Sequence, residues 1–419
     1  MNTPSADRTI ETVWRRESPK LIAALTRMMR DVDLAEDMAQ EALIQAMRQW
    51  PRDGIPENPG AWLMTAAKRR ALDYFRRNAM MARKLDELIL DPDMPDHDDP
   101  RGDIETGLDD DIGDDVLRLV FTACHPVLPA PARAALALKM LAGLTTSEIA
   151  RAFLTNEKAM AQRIVRAKRS ITQARIPFEV PHGDERAARL DSVLEVVYLI
   201  FNEGFSATAG EDLIRPALCD EAIRLGRILA GLLPQEGEVL GLLALMQLQA
   251  SRFAARTTPD GQPVLLQDQD RSLWDKDLID AGLTDLKRTD HLEGPKGVYT
   301  LQAAIAACHA SAESVAATNW PRIAALYHKL MDLSPSPVVA LNHAVAASYA
   351  FGPETGLRLL DDLAAERALS EYPYLPAARG DMLERLGRFD EARAEFTRAA
   401  GFTTNQREKH VLERRAGGV

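Results

Sequence analysis

The stretch LTTSEIARAFLTNEKAMAQRIVRAKRSI, residues 144–171, predicts two short helices joined by a tight connector. Thr145 and Glu148 have the spacing of a capping box, so the first helix should begin directly after Thr145. The segment LTN interrupts the pattern, and Asn156 or Thr155 can cap the second helix. Two helices joined by such a turn form a helix-turn-helix unit, whose second helix enters the major groove of DNA.

The second helix of this pair has two different faces. Its helical periodicity predicts inward-pointing apolar side chains at Met160, Ile164, Val165 and Ala167. Polar and basic side chains remain for the outer face, namely Lys158, Gln162, Arg163, Arg166 and Arg169. We predict that these five residues contact DNA. An ordinary surface hairpin with a solvated basic face is the alternative that this segment alone leaves open.

The charge of the chain is unevenly distributed, although the net charge of −11 would by itself argue against nucleic-acid binding. Residues 117–175 carry ten Lys or Arg and two acids, and residues 61–84 carry seven Lys or Arg and one acid. Between them, residues 85–115 carry fourteen Asp or Glu and one Arg. The sequence therefore predicts two basic modules flanking an acidic tether.

The upstream module combines an amphipathic helix with a basic one. The amphipathic helix covers residues 33–50, DLAEDMAQEALIQAMRQW. We expect Met47 to point inward, and Asp37, Gln40 and Glu41 are polar residues of this helix. A Pro/Gly-rich loop leads to AWLMTAAKRRALDYFRR (residues 61–77), where Leu72 should point inward. The basic surface of this second segment consists of Lys68, Arg69, Arg76 and Arg77, with Trp62 nearby. Aromatic side chains among cations suit single-stranded DNA, and a core Trp with solvated arginines is the alternative.

Composition sets the fold class and excludes several others. The 419 residues are 46% apolar but only 5% aromatic, and Ala/Leu-rich periodic stretches predict an all-α protein of at least two domains. Three widely spaced cysteines argue against a structural zinc site or a disulfide scaffold. Because neither a leader-like segment nor a membrane-length apolar stretch occurs, we expect a cytoplasmic protein. We expect no metal and no cofactor.

Both modules together resemble an extracytoplasmic-function sigma factor of the sigma-70 family, over residues 10–178. The resemblance implies that residues 33–50 dock on the clamp of RNA polymerase through Asp37, Gln40 and Glu41. It implies that residues 56–77 melt and read the −10 element, with Arg69 and Arg76 facing the melted strand and the loop 53–60 capturing a flipped base. From the basic surface described above, we predict that Trp62, Lys68 and Arg77 also contact this DNA.

For residues 119–171 the resemblance implies region 4, which reads the −35 element and touches the polymerase flap. Lys158, Gln162, Arg163, Arg166 and Arg169 then lie in the groove. The sequence departs from the family at Ala161, where an arginine commonly reads −35 bases, and at the turn TNEK. These departures affect which bases are read.

The C-terminal half predicts a tetratricopeptide-like helical array. The segment LERLGRFDEARAEFTRAAGF (383–402) has the Leu-Gly and Ala-x3-Phe pattern, in which Gly387 and Ala392 should let two helices approach closely. Residues 335–363 form a degenerate copy. Polar islands within the apolar array contain Asn202, Glu203, Asp270, Arg271 and Trp274, which we assign to packing between helices, with a ligand or peptide groove as the alternative.

These observations predict region 2 at residues 8–84, an acidic linker at 85–115, region 4 at 116–178 and a tetratricopeptide-like domain at 185–419. The chain should be a promoter-specificity subunit of RNA polymerase rather than an enzyme, since it shows no nucleophile–base pair, phosphate loop or HExxH spacing. Its partners should be core polymerase, promoter DNA and a protein or ligand that binds the array. The alternative function is a conventional DNA-binding regulator with a helical sensing domain. For the linker, a solvated segment and a nucleic-acid mimic both remain open.

Overall fold

The computed structural model describes residues 4–89, 112–153, 155–205, 215–258, 264–363, 366–403 and 406–417. Within these ranges the regular elements are helices and no strand occurs, which confirms the all-α prediction. Most of the acidic linker lies outside the described residues. The described residues divide into two compact units, of which the first ends at Gly204 and the second begins at Phe205.

The described residues of the first unit form eight helices. They are α1 (Pro4–Met29), α2 (Val32–Asp53), α3 (Pro59–Ile89), α4 (Ile112–Ala123), α5 (Ala130–Met140), α6 (Thr146–Ala152), α7 (Glu157–Gln173) and α8 (Gly183–Phe205). Helices α1–α3 pack together as a bundle around buried Leu21, Ala39, Trp50 and Leu63. The Asp31 side chain caps α2, accepting from the backbone N–H groups of the next turn at 2.8 and 3.1 Å.

The helix pair that decides the fold forms as its caps predict. Glu148 N donates to Thr145 Oγ1 at 3.2 Å while Thr145 N donates to Glu148 Oε2 at 2.7 Å, so the capping box is complete at the start of α6. Asn156, rather than Thr155, caps α7, because its Oδ1 accepts from Ala159 N at 2.7 Å. Met160 and Ile164 point into the core, as predicted.

Helix α8 belongs to the first unit, although the tetratricopeptide-like domain was expected to begin at residue 185. Arg189 Nη2 donates to Phe121 O at 3.0 Å, and Ser192 Oγ donates to Cys124 O at 2.6 Å. Both carbonyls lie at the C-terminal end of α4, where a helix leaves backbone acceptors unsatisfied. The polar residues of α8 therefore complete region 4 from outside the predicted module.

The second unit is an array of ten α-helices in its described residues. They are α9 (Pro216–Leu232), α10 (Gly237–Ala250), α11 (Lys276–Thr289), α12 (Val298–Ala310), α13 (Trp320–Leu333), α14 (Pro337–Phe351), α15 (Pro353–Leu363), α16 (Tyr374–Arg385), α17 (Phe389–Phe402) and α18 (Gln406–Gly417). Most of these helices pack mainly on their neighbours along the chain, and α12 also packs extensively on α10. No helix of the described residues has an apolar stretch long enough to span a membrane.

Close helix packing in the array depends on glycines other than the predicted one. A Cβ on Gly380 would lie 2.7 Å from the Phe396 ring, which fills the Ala-x3-Phe position of α17. Gly387 instead has a φ of +74° with no atom within 4 Å of a built Cβ. Its role is therefore to end α16 in the left-handed region, and the prediction that it permits close approach is wrong. Ala392 is buried as expected.

Candidate DNA and polymerase interfaces

The outer face of α7 presents a continuous stripe of side chains. Lys158, Gln162, Arg166 and Arg169 are exposed, and Arg163 is half-buried beside them. Val165 was expected inside but is 50% exposed, so that prediction is wrong. Its position three residues after Gln162 and four before Arg169 puts it within the polar stripe. In a major groove, a valine there offers apolar contact to a thymine methyl group between the hydrogen-bonding side chains.

Lys168 lies on the opposite side of α7 and joins the two basic modules. Its Nζ donates to Glu36 Oε2 at 2.9 Å and also to Asp33, both on α2. Lys139 Nζ, from α5, lies 3.3 Å from Glu36 Oε1. We call these four residues, Asp33, Glu36, Lys139 and Lys168, the α2–α7 clasp. Sequence analysis missed it because Glu36 and Lys168 are 132 positions apart.

The surroundings of Lys168 in the clasp favour its charged form. Burial opposes a charge on Lys168, but attraction by Glu36 and hydrogen bonds to Asp33 and Glu36 outweigh it, so the pKa of Lys168 is raised above its usual value. A lysine with a raised pKa contributes stability throughout the neutral range and loses that contribution only as the pH rises above its ordinary pKa. Lys168 therefore carries its charge under physiological conditions.

A second contact ties α6 to α1. Arg15 Nη2 lies 2.7 Å from Glu148 Oε1, so the capping-box carboxylate also makes an ion pair across the modules. Burial alone would raise the pKa of Glu148, but its hydrogen bonds to Thr145 and the charge of Arg15 lower it. Beside this pair, Gly143 has a φ of +68°, and a Cβ there would lie 2.7 Å from Ser18 Oγ of α1. Only glycine fits both the turn and this approach.

The predicted polymerase-binding face of α2 is accessible. Asp37 and Glu41 are exposed and Gln40 is half-buried. Burial, followed by the charge of Asp33, raises the pKa of Asp37. Glu41 Oε2 lies 3.5 Å from Nε of Arg70 on α3, a partner that sequence analysis did not identify. Next to them are Met47, predicted to point inward but 55% exposed, and Ile44, 46% exposed.

The predicted strand-binding face of α3 is largely solvent-exposed. Arg69, Arg76 and Arg77 are exposed, and Lys68 is half-buried. Leu72 is also exposed, which contradicts the prediction that it points inward. Trp62 is half-buried and makes an edge-to-face contact with the buried Trp50 at 5.4 Å between ring centroids. One part of the Trp62 ring is thus fixed by the bundle while another remains open to solvent.

Of the polar-island residues in the second half, Arg271 and Trp274 pack between elements, whereas Asn202 and Asp270 are exposed and bond within their own segments, so their assignment to packing between helices is wrong. Arg271 Nη1 donates to His309 O at 2.7 Å and Ala312 O at 2.6 Å, which ties its short helical turn to the end of α12. Asp270 is exposed and accepts from Ser272 N at 2.9 Å, and Trp274 is buried. Asn202 is exposed and hydrogen-bonds Tyr198 on its own helix, and Glu203 is half-buried. Within the described ranges no group of three or more His, Cys, Asp or Glu is arranged to hold a metal ion.

Comparison with known families accounts for the two modules of the first unit. Residues 13–80 match sigma-70 region 2 and residues 118–171 match sigma-70 region 4. The ferric citrate uptake sigma factor FecI of Escherichia coli is 31% identical over 150 residues, which cover 35% of this chain and 80% of FecI. This chain belongs to the extracytoplasmic-function sigma factors. It is thus an RNA polymerase sigma factor, whose partners are core polymerase and promoter DNA.

Two further similarities bear on the sigma factor's second half. Residues 189–290, from within α8 to the end of α11, match a family of unknown function, DUF6596. An uncharacterised protein of Rhizobium meliloti, R00370, is 45% identical over 393 residues, which cover 93% of this chain and 91% of R00370. The probable sigma factor SigI of Mycobacterium tuberculosis is 25% identical over 203 residues, 45% of this chain and 67% of SigI. No solved structure matches the chain.

Proposed function

We propose that the sigma factor reads the −35 element with the outer stripe of α7 and the −10 strand with the basic face of α3. The observation that carries this proposal is the stripe itself. Lys158, Gln162, Val165, Arg166 and Arg169 face solvent on one side of a helix whose other side is buried. An arginine that reads a guanine makes two parallel hydrogen bonds, whereas a phosphate contact carries no sequence information.

Alanine substitution separates these two roles. If Arg166 reads a base, Arg166→Ala should cost about 1–3 kcal/mol of promoter affinity and relax preference at one base pair. Promoter-specific transcription with core polymerase, measured on a panel of single-base −35 variants, gives this result directly. Arg163→Ala is tested in the same way, and Arg151→Ala, at an exposed arginine outside the stripe, is the control. Unchanged transcription for Arg163→Ala and Arg166→Ala would overturn the assignment of α7.

Core polymerase should bind the exposed face of α2. Asp37, Gln40 and Glu41 supply its polar part, and Ile44 and Met47 supply an apolar part that water surrounds in the free chain. Glu41→Lys should abolish co-purification with core enzyme because it reverses the charge at the centre of this face and repels Arg70. Glu293→Lys, at an exposed residue of the second unit, controls for a general effect of charge. Normal binding by a folded Glu41→Lys variant would contradict the role.

We also propose that the described first unit is a closed state that must open before both elements are read. The −10 and −35 positions are about 25 base pairs apart, or about 85 Å along B-DNA. A compact unit of this size is roughly 45 Å across. While Lys168 remains on Glu36, α7 and α3 cannot span that separation. Förster transfer between dyes at the exposed positions Arg69 and Arg169, each replaced by cysteine, should fall when core polymerase is added.

The second unit is proposed to act as a fused regulator that α8 connects to region 4. Because Arg189 and Ser192 complete the end of α4, a fragment ending at residue 180 would lose activity for purely structural reasons. A fragment ending at residue 205 keeps these contacts. We expect the fragment ending at 205 to transcribe less than the full chain on the same promoter. Equal transcription rates would mean that the second unit does not regulate transcription. Circular dichroism verifies that the fragment folds.

A conventional duplex-binding regulator, the alternative that the sequence alone left open, would behave differently on DNA. It would bind promoter DNA tightly without polymerase. The exposed apolar patch on α2 favours the sigma factor, since a duplex reader has no use for such a face. Footprinting with and without core enzyme separates the two, because the sigma factor should protect promoter DNA only when core enzyme is present. The native chain is expected to act in the cytoplasm without catalysing a reaction of its own.

A further inference from the structure

Three arginines of the second unit lie together around aromatic rings. The guanidinium of Arg256 lies 3.7 Å from the centroid of the Phe205 ring, and that of Arg252 lies 5.8 Å from the same ring. Arg252 and Arg271 also approach one Trp274 ring, at 5.9 and 5.0 Å. All three arginines are half-buried. We call Arg252, Arg256 and Arg271 the arginine cluster.

The arginine cluster has no carboxylate among the described residues. None of its members forms an ion pair there, and their printed hydrogen bonds go to neutral oxygens of Gln249, Phe205, His309, Ala312 and Thr318. Burial and the charges of neighbouring arginines lower the pKa of Arg252 to about 10. A desolvated cation that faces other cations is costly unless an anion compensates it.

Other half-buried arginines of the same unit form ion pairs with carboxylates, which is the usual way to compensate a desolvated cation. Arg415 contacts Asp381 at 3.1 Å and also Glu384. Arg379 contacts Asp361 and lies 3.3 Å from Glu395 Oε1. The second unit therefore pairs its half-buried arginines with carboxylates elsewhere, and the arginine cluster departs from that rule.

Two further polar groups at the cluster are without hydrogen-bond partners. Trp274 is 4% exposed, and its buried Nε1–H has no acceptor among the described residues. The buried Nδ1 of His309 likewise has no partner in the described part of the chain. Burial, followed by the charges of Arg252 and Arg271, lowers the pKa of His309 to about 4, so this imidazole is neutral at physiological pH. A buried indole N–H normally has an acceptor, and the described residues supply none here.

We propose that the arginine cluster, with Trp274, binds a small phosphate-bearing anion. Guanidinium groups match phosphate oxygens with two parallel hydrogen bonds, and Arg252 and Arg256 each keep several N–H donors free for them. Three clustered cations favour a ligand with at least two negative charges over a single carboxylate. The arginine cluster belongs to the second unit, whereas the proposed DNA and polymerase faces belong to the first, so anion binding can be tested without measuring promoter activity.

Binding can be measured on the full chain in the absence of polymerase. Inorganic phosphate and pyrophosphate are titrated at constant ionic strength, with acetate and chloride as controls, and affinity is read from tryptophan fluorescence and calorimetry. Arg252→Gln and Arg256→Gln should each weaken binding about ten-fold or more, because each removes a charged donor. Arg358→Gln, an exposed arginine of α15 that bonds only Thr355, is the matched control.

The outcomes separate the proposal from its alternatives. Saturable binding of phosphate or pyrophosphate that both cluster variants lose and Arg358→Gln retains would support the site. Absence of binding to the wild-type chain up to about 10 mM, a weak affinity on the usual scale, would overturn it. Equal responses of all variants, or equal binding of acetate, would also overturn it, because they indicate a general ionic effect. Trp274→Phe removes the indole donor without a charge and should weaken binding less than either arginine variant.

Discussion

Lys168 in the first unit and Arg252 in the second are both basic side chains with restricted access to water, but their surroundings differ. Lys168 reaches two carboxylates on a helix from another module, and it holds α7 against α2. Arg252 lies among arginines and aromatic rings, with no carboxylate in the described part of the chain. The comparison shows that a buried cation can fix the arrangement of two protein segments or leave a charge available to a ligand. Which of these occurs depends on whether the chain itself supplies the anion.

The largest effect is expected from removing the central carboxylate of the clasp. Glu36→Leu leaves Lys139 without its partner and Lys168 with only Asp33, so it should lower the free energy of unfolding of the first unit by about 3–5 kcal/mol. Hydrogen exchange of the segment 160–171 should accelerate accordingly. Glu41→Leu, which breaks an exposed pair, should change the same exchange by less than about 0.5 kcal/mol. Similar exchange in both variants would mean that the clasp does not hold α7.

A smaller loss of stability is expected from removing the uncharged Ser192 hydroxyl, which links α8 to the end of α4. Ser192→Ala removes the hydrogen bond that Ser192 donates to the buried Cys124 O and the one it accepts from Arg133, and should cost about 1–3 kcal/mol. Ser170→Ala removes a hydrogen bond within α7, to Arg166 O at 2.9 Å, and should cost less than about 1 kcal/mol because that carbonyl is near solvent. Urea unfolding followed by circular dichroism compares the two. Equal midpoints would show that α8 contributes little to region 4.

The sign of the effect should reverse at the arginine cluster. In buffer free of polyvalent anions, Arg252→Leu should leave the free energy of unfolding within about 1 kcal/mol of the wild-type value or raise it, because an uncompensated charge is removed. Arg415→Leu should lower it, since Asp381 and Glu384 lose their partner. Urea unfolding of the second unit, followed by hydrogen exchange, tests both. A large loss of stability for Arg252→Leu would show that the cluster is already compensated.

The smallest effect is expected from Val165, which lies on the exposed face of α7, whereas Lys168 lies on the buried face. Val165→Ala should leave stability unchanged because the side chain is exposed, and should reduce promoter affinity by about 1 kcal/mol at most. The loss should disappear on promoters without a thymine at the contacted position. Competition binding of the holoenzyme to matched promoters measures it. A loss that is equal on every promoter would exclude a base contact.

Local sequence patterns predicted the helices well, but they could not identify contacts between residues that are far apart in the sequence. The capping box at Thr145 and the cap at Asn156 act within three residues, so the sequence alone located α6 and α7. Val165 and Leu72 were misplaced because periodicity does not say how wide a buried stripe is. The clasp and the contact of α8 with α4 join residues that are far apart in sequence, and no spacing rule identifies such partners. The residues assigned to DNA and polymerase remain predictions that the experiments above address.

The separation of 132 positions between Glu36 and Lys168 also has a consequence during synthesis. Ribosomes add roughly 5–20 residues per second, so Lys168 is made about 7–26 s after Glu36. The bundle of α1–α3 depends on contacts within the first 89 residues and can form during that interval, whereas the clasp must wait. A nascent chain therefore passes through a stage in which the polymerase-binding helix is folded and the helix that will be held against it does not yet exist.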